Sequence, residues 1–236
     1  MKFNTKKCHT MLINNRKCPR FYQLCNDVLS EVQSAKYLGV TISNDLSWSP
    51  HISSIVTKAH QRLGFIRRNL RGSPYAYRSM AYKSLVRSQL EYCSTIWDTS
   101  KKEDILNLER VQRKSARWAK GKYGECSVTQ LLKDLEWDDL SDRRKDSRLL
   151  LFYKILKDPQ ILKVSPSEID VKLSDRHARG PHNKLKLVRP KASHKSSPLW
   201  SSTSFRTIPE WNSLPADIAE VDSPLAFKGR LASAKP

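Results

Sequence analysis

The chain changes its hydrophobic periodicity between Ala35 and Ile52, and this change constrains the fold more than any other feature. A β-branched and aromatic run from Lys36 to Ile42 predicts a strand. Gly39 interrupts that run, and a glycine inside a strand usually marks a bulge or the close approach of another backbone. Asn44-Asp45 then predicts a turn. The segment is therefore predicted to connect a small sheet to the helical region that follows it.

A long basic helix is predicted to follow, with Ser49 as N-cap and Pro50 at the first helical position. Its apolar stripe repeats at helical spacing and comprises Ile52, Ile55, Val56, Ala59, Leu63, Ile66 and Leu70. No acidic residue lies between positions 51 and 71, where the cations are Lys58, Arg62, Arg67, Arg68 and Arg71. Solvated helices normally mix both charges, so this face predicts phosphate contact, with a merely solvated face as the alternative.

Four more helices are predicted, at about 75–96, 102–120, 127–135 and 140–157. The first is rich in aromatic rings, namely Tyr75, Tyr77, Tyr82, Tyr92 and the adjoining Trp97. Rings at helical spacing favour a core role over base stacking. The second ends in a basic run of Arg110, Arg113, Lys114, Arg117 and Lys120. That run predicts phosphate contact. An equal alternative is that the cations stabilise the helix through its dipole, whose negative end lies at the C-terminus.

The two ends of the chain differ from this helical middle. Short apolar runs within residues 1–46 predict a small antiparallel sheet. Residues 165–197 are polar, basic and proline-bearing, which predicts a loop-rich arm. The tail regains packing residues, namely Phe205, Ile208, Trp211, Leu214, Ile218, Leu225, Phe227 and Leu231.

The predicted fold class is mainly α with a small N-terminal antiparallel β remnant, α+β overall, with a helical bundle and a basic tail. The predicted domains are residues 1–48, 49–158 and 159–236.

The formal charge of +20 predicts a polyanionic partner such as nucleic acid. No apolar run reaches the roughly 18 residues of a membrane span, and the N-terminus lacks the apolar segment of a secretory signal. We therefore expect no membrane partner and an intracellular site, nucleus or cytoplasm. The odd, widely spaced cysteines predict free thiols, and Cys8, His9, Cys18 and Cys25 lack the short pairs of a zinc site.

The sequence contains no recognisable catalytic motif, and a Ser/His/Asp or Cys/His site, whose partners meet only in space, stays an alternative. A palm-type polymerase needs aspartates on adjacent strands to hold two divalent ions. The sole Asp-Asp pair, Asp138-Asp139, directly precedes a basic helix and does not lie between strands. Acidic residues stabilise a helix at its N-terminus, so a structural role is predicted for this pair. Phosphate-loop, nucleophile-elbow and zinc-helix motifs are also missing.

An ordered series of segments resembles the C-terminal part of reverse transcriptases from non-LTR retrotransposons of the jockey and CR1 kind. The segments are MKFNTKKCHTMLI, KYLGVTI, LSWSPHI, LGFIRRNL, YKSLVRSQLEYCSTIW, LERVQRKSARW, LLKDLEWDDLSDRRKDSRLLLFYKI, SFRTIPEWNSLP and FKGRL. In that family they form the end of the palm, the primer grip, the thumb and the C-terminal extension.

The resemblance assigns roles to particular residues. Lys7 matches a lysine thought to protonate departing pyrophosphate, although a basic residue at a strand end is an equal alternative. Lys36, Tyr37 and Gly39 fall at the primer grip. Lys58, Arg62, Arg67 and Arg68 fall on what would be the thumb helix that contacts nucleic acid. The charge pattern of the helix predicted at 102–120 adds Arg113, Lys114 and Arg117 as candidates for nucleic-acid contact. The catalytic aspartates and their Mg²⁺ would belong to a palm that this sequence does not contain, so no cofactor is expected here.

The leading hypothesis is a truncated reverse transcriptase, inactive alone, that binds RNA, DNA or an RNA/DNA hybrid without sequence preference. It would also contact the missing palm and fingers or another protein. One alternative is a protein-interaction module whose charge serves solubility. Another is an enzyme of an unrelated kind.

Overall fold

The computed structural model describes residues 4–13, 21–124, 126–157, 172–173, 187–188 and 203–234. The helices of these residues are α1 (Ser49–Asn69), α2 (Tyr75–Ala81), a π-helical segment (Tyr82–Arg87), α3 (Ser88–Glu91), α4 (Ser94–Trp97), α5 (Lys102–Lys120), α6 (Val128–Asp134), α7 (Leu140–Lys157), α8 (Thr203–Asn212), α9 (Ala216–Ala219) and α10 (Pro224–Ser233). The strands are β1 (His9–Thr10), β2 (Gln23–Leu24), β3 (Asp27–Val28), β4 (Ser30–Glu31), β5 (Ser34–Tyr37), β6 (Val40–Ser43), β7 (Lys172–Leu173) and β8 (Leu187–Val188). The predicted class, mainly α with a small β region, is confirmed.

The strands pair two by two instead of forming one sheet. β2–β3, β5–β6 and β7–β8 are antiparallel, whereas β1 and β4 pair in parallel. The β5–β6 hairpin turns at Leu38 and Gly39, whose φ angles are 45° and 88°. Two consecutive positive φ angles are those of a type I′ turn, which matches the twist of the flanking strands. The prediction of one strand from Lys36 to Ile42 with a bulge at Gly39 is therefore wrong.

Helix α1 begins one residue earlier than predicted. Ser49 is the first helical residue, and its hydroxyl donates to Asp104 Oδ2 at 2.8 Å instead of capping the helix. The predicted apolar stripe is confirmed at Ile52, Ile55, Ala59, Leu63 and Ile66, which are buried.

The single helix predicted for 75–96 is interrupted twice. The first interruption is the π-helical segment after α2. Along this stretch Tyr82 and Val86 are buried, whereas Met80 and Leu85 are exposed. The helix then breaks at Cys93, whose φ is 54°. Trp97 Nε1 donates to the Tyr92 carbonyl at 2.7 Å, which satisfies a backbone oxygen freed by the break. The helices predicted at 102–120, 127–135 and 140–157 are confirmed within one residue at each end.

The larger core lies between α1, the α2–α3 region, α5 and α6. Tyr82 stacks on Trp137 with ring centroids 4.2 Å apart, and its hydroxyl donates to Gln112 Oε1 at 2.8 Å. The Gln112 amide donates in turn to the Asp138 carbonyl. This buried polar chain fixes α5 against the loop that leads into α7.

A second core joins the later part of α7 to α8, α9 and α10, where Tyr153, Trp211 and Phe227 stack. The docking of the tail is confirmed at Ile208, Trp211, Ile218, Phe227 and Leu231, while Leu225 is exposed. The predicted domain boundaries stay predictions. The arm predicted at 165–197 lies outside the described residues, apart from β7 and β8, and so does the side chain of Phe205.

A buried ion cluster ties the two cores together. Asp98, directly after α4, is 3% exposed. Its carboxylate lies 2.8 Å from the Nε atoms of both Arg144 and Arg148 on α7. Arg206 on α8 lies 3.4 Å from the same carboxylate and donates to the Asp98 carbonyl at 3.0 Å. Arg148 also pairs with Glu210 at 2.9 Å.

Across the ranges that the structure describes, none of the helices has the length and apolar content needed to cross a bilayer.

Candidate nucleic-acid interface

One face of α5 carries four cations at helical spacing. Arg110, Arg113, Lys114 and Arg117 follow each other at i, i+3, i+4 and i+7, which places them on one side of the helix. The opposite side is buried against α1 and α6. The acids of α5 lie in its first half, so the second half presents cations alone.

Gly121 turns the chain back at the end of α5. Its φ of +68° is a left-handed conformation that favours glycine. The Gly121 amide donates to the Trp118 carbonyl at 3.1 Å, and the Lys122 amide donates to the Arg117 carbonyl at 3.0 Å. These two bonds form a Schellman motif. Tyr123 is thereby directed back to α1, where Arg67 Cζ lies 5.9 Å from the centre of its ring.

The arginine groove is the surface depression formed by α1, α2 and α5 around Tyr123. Its first half, of about 780 Å³, is lined by Gly64, Arg67, Arg68, Arg71, Arg78, Trp118 and Tyr123. Its second half, of about 690 Å³, is lined by Arg67, Arg110, Arg113, Lys114, Arg117, Tyr123 and Val128. Arg67 and Tyr123 line both halves. Eight cations thus share one surface, and no carboxylate lines it among the described residues.

The described acids that form ion pairs do so away from this groove. The pairs are Glu91 with Arg87 and Arg143, Asp98 with Arg144, Arg148 and Arg206, Glu210 with Arg148, Glu103 with Lys101, and Asp222 with Lys157. The eight groove cations have no carboxylate within ion-pair distance in the part of the chain described. Burial, and after it the charge of Lys114, lowers the pKa of the neighbouring His60 imidazole. The groove is a surface of unbalanced positive charge.

Arg78 shapes the groove from within. It donates to the Arg71 carbonyl at 2.7 Å and to the Trp118 carbonyl at 3.2 Å, and its guanidinium lies 5.9 Å from the Trp118 ring centre. These bonds join the turn after α1 to the end of α5. Arg78 therefore holds the two walls of the first half together.

The structure brings together five of the predicted nucleic-acid residues and separates the others. Arg67, Arg68, Arg113, Lys114 and Arg117 all line the arginine groove. Arg62 instead donates to the Leu85 carbonyl at 3.1 Å, across the other flank of α1. The remaining candidates, which line neither half, are Lys7, Lys36, Tyr37, Gly39 and Lys58.

The predicted primer-grip residues lie on the exposed end of β5 and in the turn of the β5–β6 hairpin. Tyr37 is 68% exposed, and a Cβ added to Gly39 would lie 3.3 Å from Tyr92 Cε1. The close neighbour of Gly39 is thus an aromatic ring and not another backbone. Lys7 is exposed in a short 3₁₀ turn (Thr5–Lys7) ahead of β1.

The sequence prediction that the aromatic residues are core is right for two of them. Tyr82 and Trp97 are fully buried. Tyr75, Tyr77 and Tyr92 are 58%, 60% and 55% exposed, so the prediction is wrong for these three. Tyr75 and Tyr77 lie on α2, ahead of the π-helical segment, and Tyr92 lies directly before the break at Cys93.

Sequence reasoning missed three contributors to the groove, Arg78, Trp118 and Tyr123. Arg71 and Arg110 were recognised as basic but not selected. The glycine after the basic end of α5 is the signal that predicts a helix reversal, and with it the return of Tyr123.

His51 docks the hairpin on α1. Its ring is 3% exposed, and Nδ1 accepts a hydrogen bond from the Thr41 amide of β6 at 3.2 Å. Burial lowers the pKa of His51, and the charges of Lys58 and Lys36 lower it further. The imidazole is therefore neutral near pH 7, which leaves Nδ1 free to accept.

We expect the free energy of unfolding to fall on acidification below about pH 6.5, the ordinary pKa of histidine. The unfolded chain takes up the His51 proton at that pH, whereas the folded chain does so only at lower pH, so acid favours unfolding. Chemical denaturation between neutral and mildly acidic pH measures this dependence. The variant His51→Gln keeps an acceptor for Thr41 and does not titrate, so its pH dependence should be shallower. An equally steep dependence in that variant contradicts the assignment.

The described residues contain no cluster of three or more histidine, cysteine or acidic side chains placed to hold a metal ion. Asp138 and Asp139 directly precede α7, so the prediction that they lie at a helix N-terminus is confirmed. Cys8, Cys25, Cys93 and Cys126 are free thiols, as predicted, and Cys18 lies outside the described residues.

Comparisons of the chain with protein-family models, with curated proteins and with solved structures find no match.

Proposed function

We propose that this chain binds nucleic acid through the phosphate backbone, with the arginine groove as the contact surface. The observation that carries the proposal is the assembly of eight cations from α1, the turn after it, α2 and α5 on one surface without a described carboxylate. A surface that serves solubility alone normally mixes charges of both signs. RNA, DNA and RNA/DNA hybrids all present the phosphates that such a surface attracts.

Arginine is the suitable cation for this task. Its planar guanidinium makes two parallel hydrogen bonds to phosphate oxygens and is more weakly hydrated than the lysine ammonium. Seven of the eight groove cations are arginines. Phosphate contacts carry no sequence information, so the expected binding is largely independent of sequence.

The resemblance to non-LTR reverse transcriptases agrees with this role, because the corresponding segments are the family's thumb. We include that relationship in the proposal, together with action in the nucleus or cytoplasm. The expected activity of the chain itself is binding, and no reaction is assigned to it.

Salt dependence tests the proposal. We expect the affinity for a mixed-sequence RNA/DNA duplex to fall by roughly 0.9 log unit per log unit of salt for each phosphate contacted. Fluorescence anisotropy across a series of salt concentrations gives this slope. A slope near zero contradicts the proposal, and so does the failure of both a single strand and the duplex to bind at low salt.

A further inference from the structure

Tyr123 stands at the junction of the two halves of the arginine groove. Its ring lines both halves and is 61% exposed. The chain reversal at Gly121 holds it beside Arg67, whose guanidinium lies 5.9 Å from the ring centre. Phosphate contacts alone do not require an aromatic ring. A ring in the middle of a phosphate-binding groove therefore indicates contact with another part of the ligand.

We propose that Tyr123 stacks on one unpaired base of a single-stranded nucleic acid whose flanking phosphates lie in the two halves of the groove. This inference rests on the proposed function and specifies its ligand. Proteins that bind single strands combine a basic groove with aromatic rings on which bases stack. In a duplex the bases already stack on one another, so their faces are not open to a ring.

The distribution of cations about Tyr123 supports this geometry. Arg68, Arg71 and Arg78 lie in the half toward Trp118. The half toward Val128 holds Arg110, Arg113, Lys114 and Arg117 of α5. A strand whose base stacks on the ring therefore has guanidinium groups available to the phosphate on either side of that base. Arg67, at the ring, adds a cation near the stacked base itself.

The other exposed aromatic rings near the groove do not have groove cations on both sides. Tyr75 has Lys120 Nζ 4.7 Å from its ring centre, and it lines a different depression that also contains Asp134 and Glu136. Carboxylates there would repel a phosphate. Tyr77 is as exposed as Tyr123 but lines neither half of the groove. Tyr77 is therefore a matched control position.

The test compares the affinities of the full chain for a single strand of about 16 nucleotides and for a blunt duplex of the same length, measured by fluorescence anisotropy at one salt concentration. RNA and DNA strands form separate arms. We expect Tyr123→Leu to weaken single-strand binding about tenfold and to weaken duplex binding much less, because a duplex offers no open base face to the ring. Tyr123→Phe, which keeps the ring, should retain single-strand affinity, and Tyr77→Leu should match the unmodified chain. A 2-aminopurine in the strand should lose fluorescence on binding the unmodified chain and less so on binding Tyr123→Leu.

The outcomes separate this inference from the proposed function. Salt-dependent binding of the single strand that is indifferent to Tyr123→Leu overturns the stacking site and leaves phosphate binding intact. An equal loss in Tyr77→Leu overturns it as well. Failure of both strand and duplex to bind at low salt overturns the proposed function, and the stacking site with it.

Discussion

Replacement of Asp98 by alanine is expected to lower the free energy of unfolding by about 3–5 kcal/mol, the usual cost of removing one partner from a buried ion pair. Asp98 is the carboxylate shared by Arg144, Arg148 and Arg206. Arg144 and Arg148 are 1% and 2% exposed, so water cannot replace the lost partner. Since the total free energy of unfolding of small domains is about 5–15 kcal/mol, this loss is a large part of the stability. Urea denaturation followed by circular dichroism measures it.

The matched control is Asp222→Asn. Asp222 pairs with Lys157 at 3.8 Å, but its side chain is fully exposed. Surface pairs contribute little, so this variant should unfold at the same urea concentration as the unmodified chain. If Asp98→Ala does not fold, Asp98→Asn keeps the side-chain shape and should still be clearly less stable than Asp222→Asn. Equal stability of the Asp98 and Asp222 variants would show that the cluster does not hold the two cores together.

The contrast between α5 and the α2–α4 region shows what could be predicted from local sequence. Helix α5 was predicted at its observed bounds, and its acidic first turn and following glycine are further local features of a helix with those bounds. Between residues 75 and 97 the sequence has a helical period as well, but the π-helical segment and the left-handed Cys93 shift the register. Neither feature has a local signal. Tyr92, directly before the left-handed Cys93, was expected in the core and is 55% exposed.

The ion cluster and the groove depend on contacts that are distant in sequence. Asp98 meets Arg144 across 46 residues and Arg206 across 108. A single sequence gives no sign that these arginines are buried while Arg113 and Arg117 face outward. The charge pattern of α1 and α5 selected five residues that the structure brings to the arginine groove, and their contact with nucleic acid stays a prediction. It also selected Arg62, which the tertiary structure directs to the opposite flank of α1.

Reversal of two charges on α5, Arg113→Glu with Arg117→Glu, is expected to weaken nucleic-acid binding at least a hundredfold at about 0.15 M salt. The two residues lie one helical turn apart in the second half of the arginine groove. Each reversal removes one phosphate contact and adds a repulsive carboxylate, so the salt slope should fall by about two, one for each contact. Anisotropy titrations across the same series of salt concentrations measure both quantities.

If nucleic acid binds in the groove, the loss of affinity should depend on where the charges are reversed and not on the net charge alone. Lys133→Glu with Lys145→Glu changes the net charge by the same amount, but these exposed lysines line neither half of the groove. That control should keep most of the affinity and nearly the full salt slope. Neither Arg113 nor Arg117 forms an ion pair within the described residues, so their reversal should leave the free energy of unfolding within about 1 kcal/mol, the effect of an unfavourable charge near a helix end. If the α5 variant and the lysine control lose affinity equally, the chain binds through its overall charge and the arginine groove is not the site.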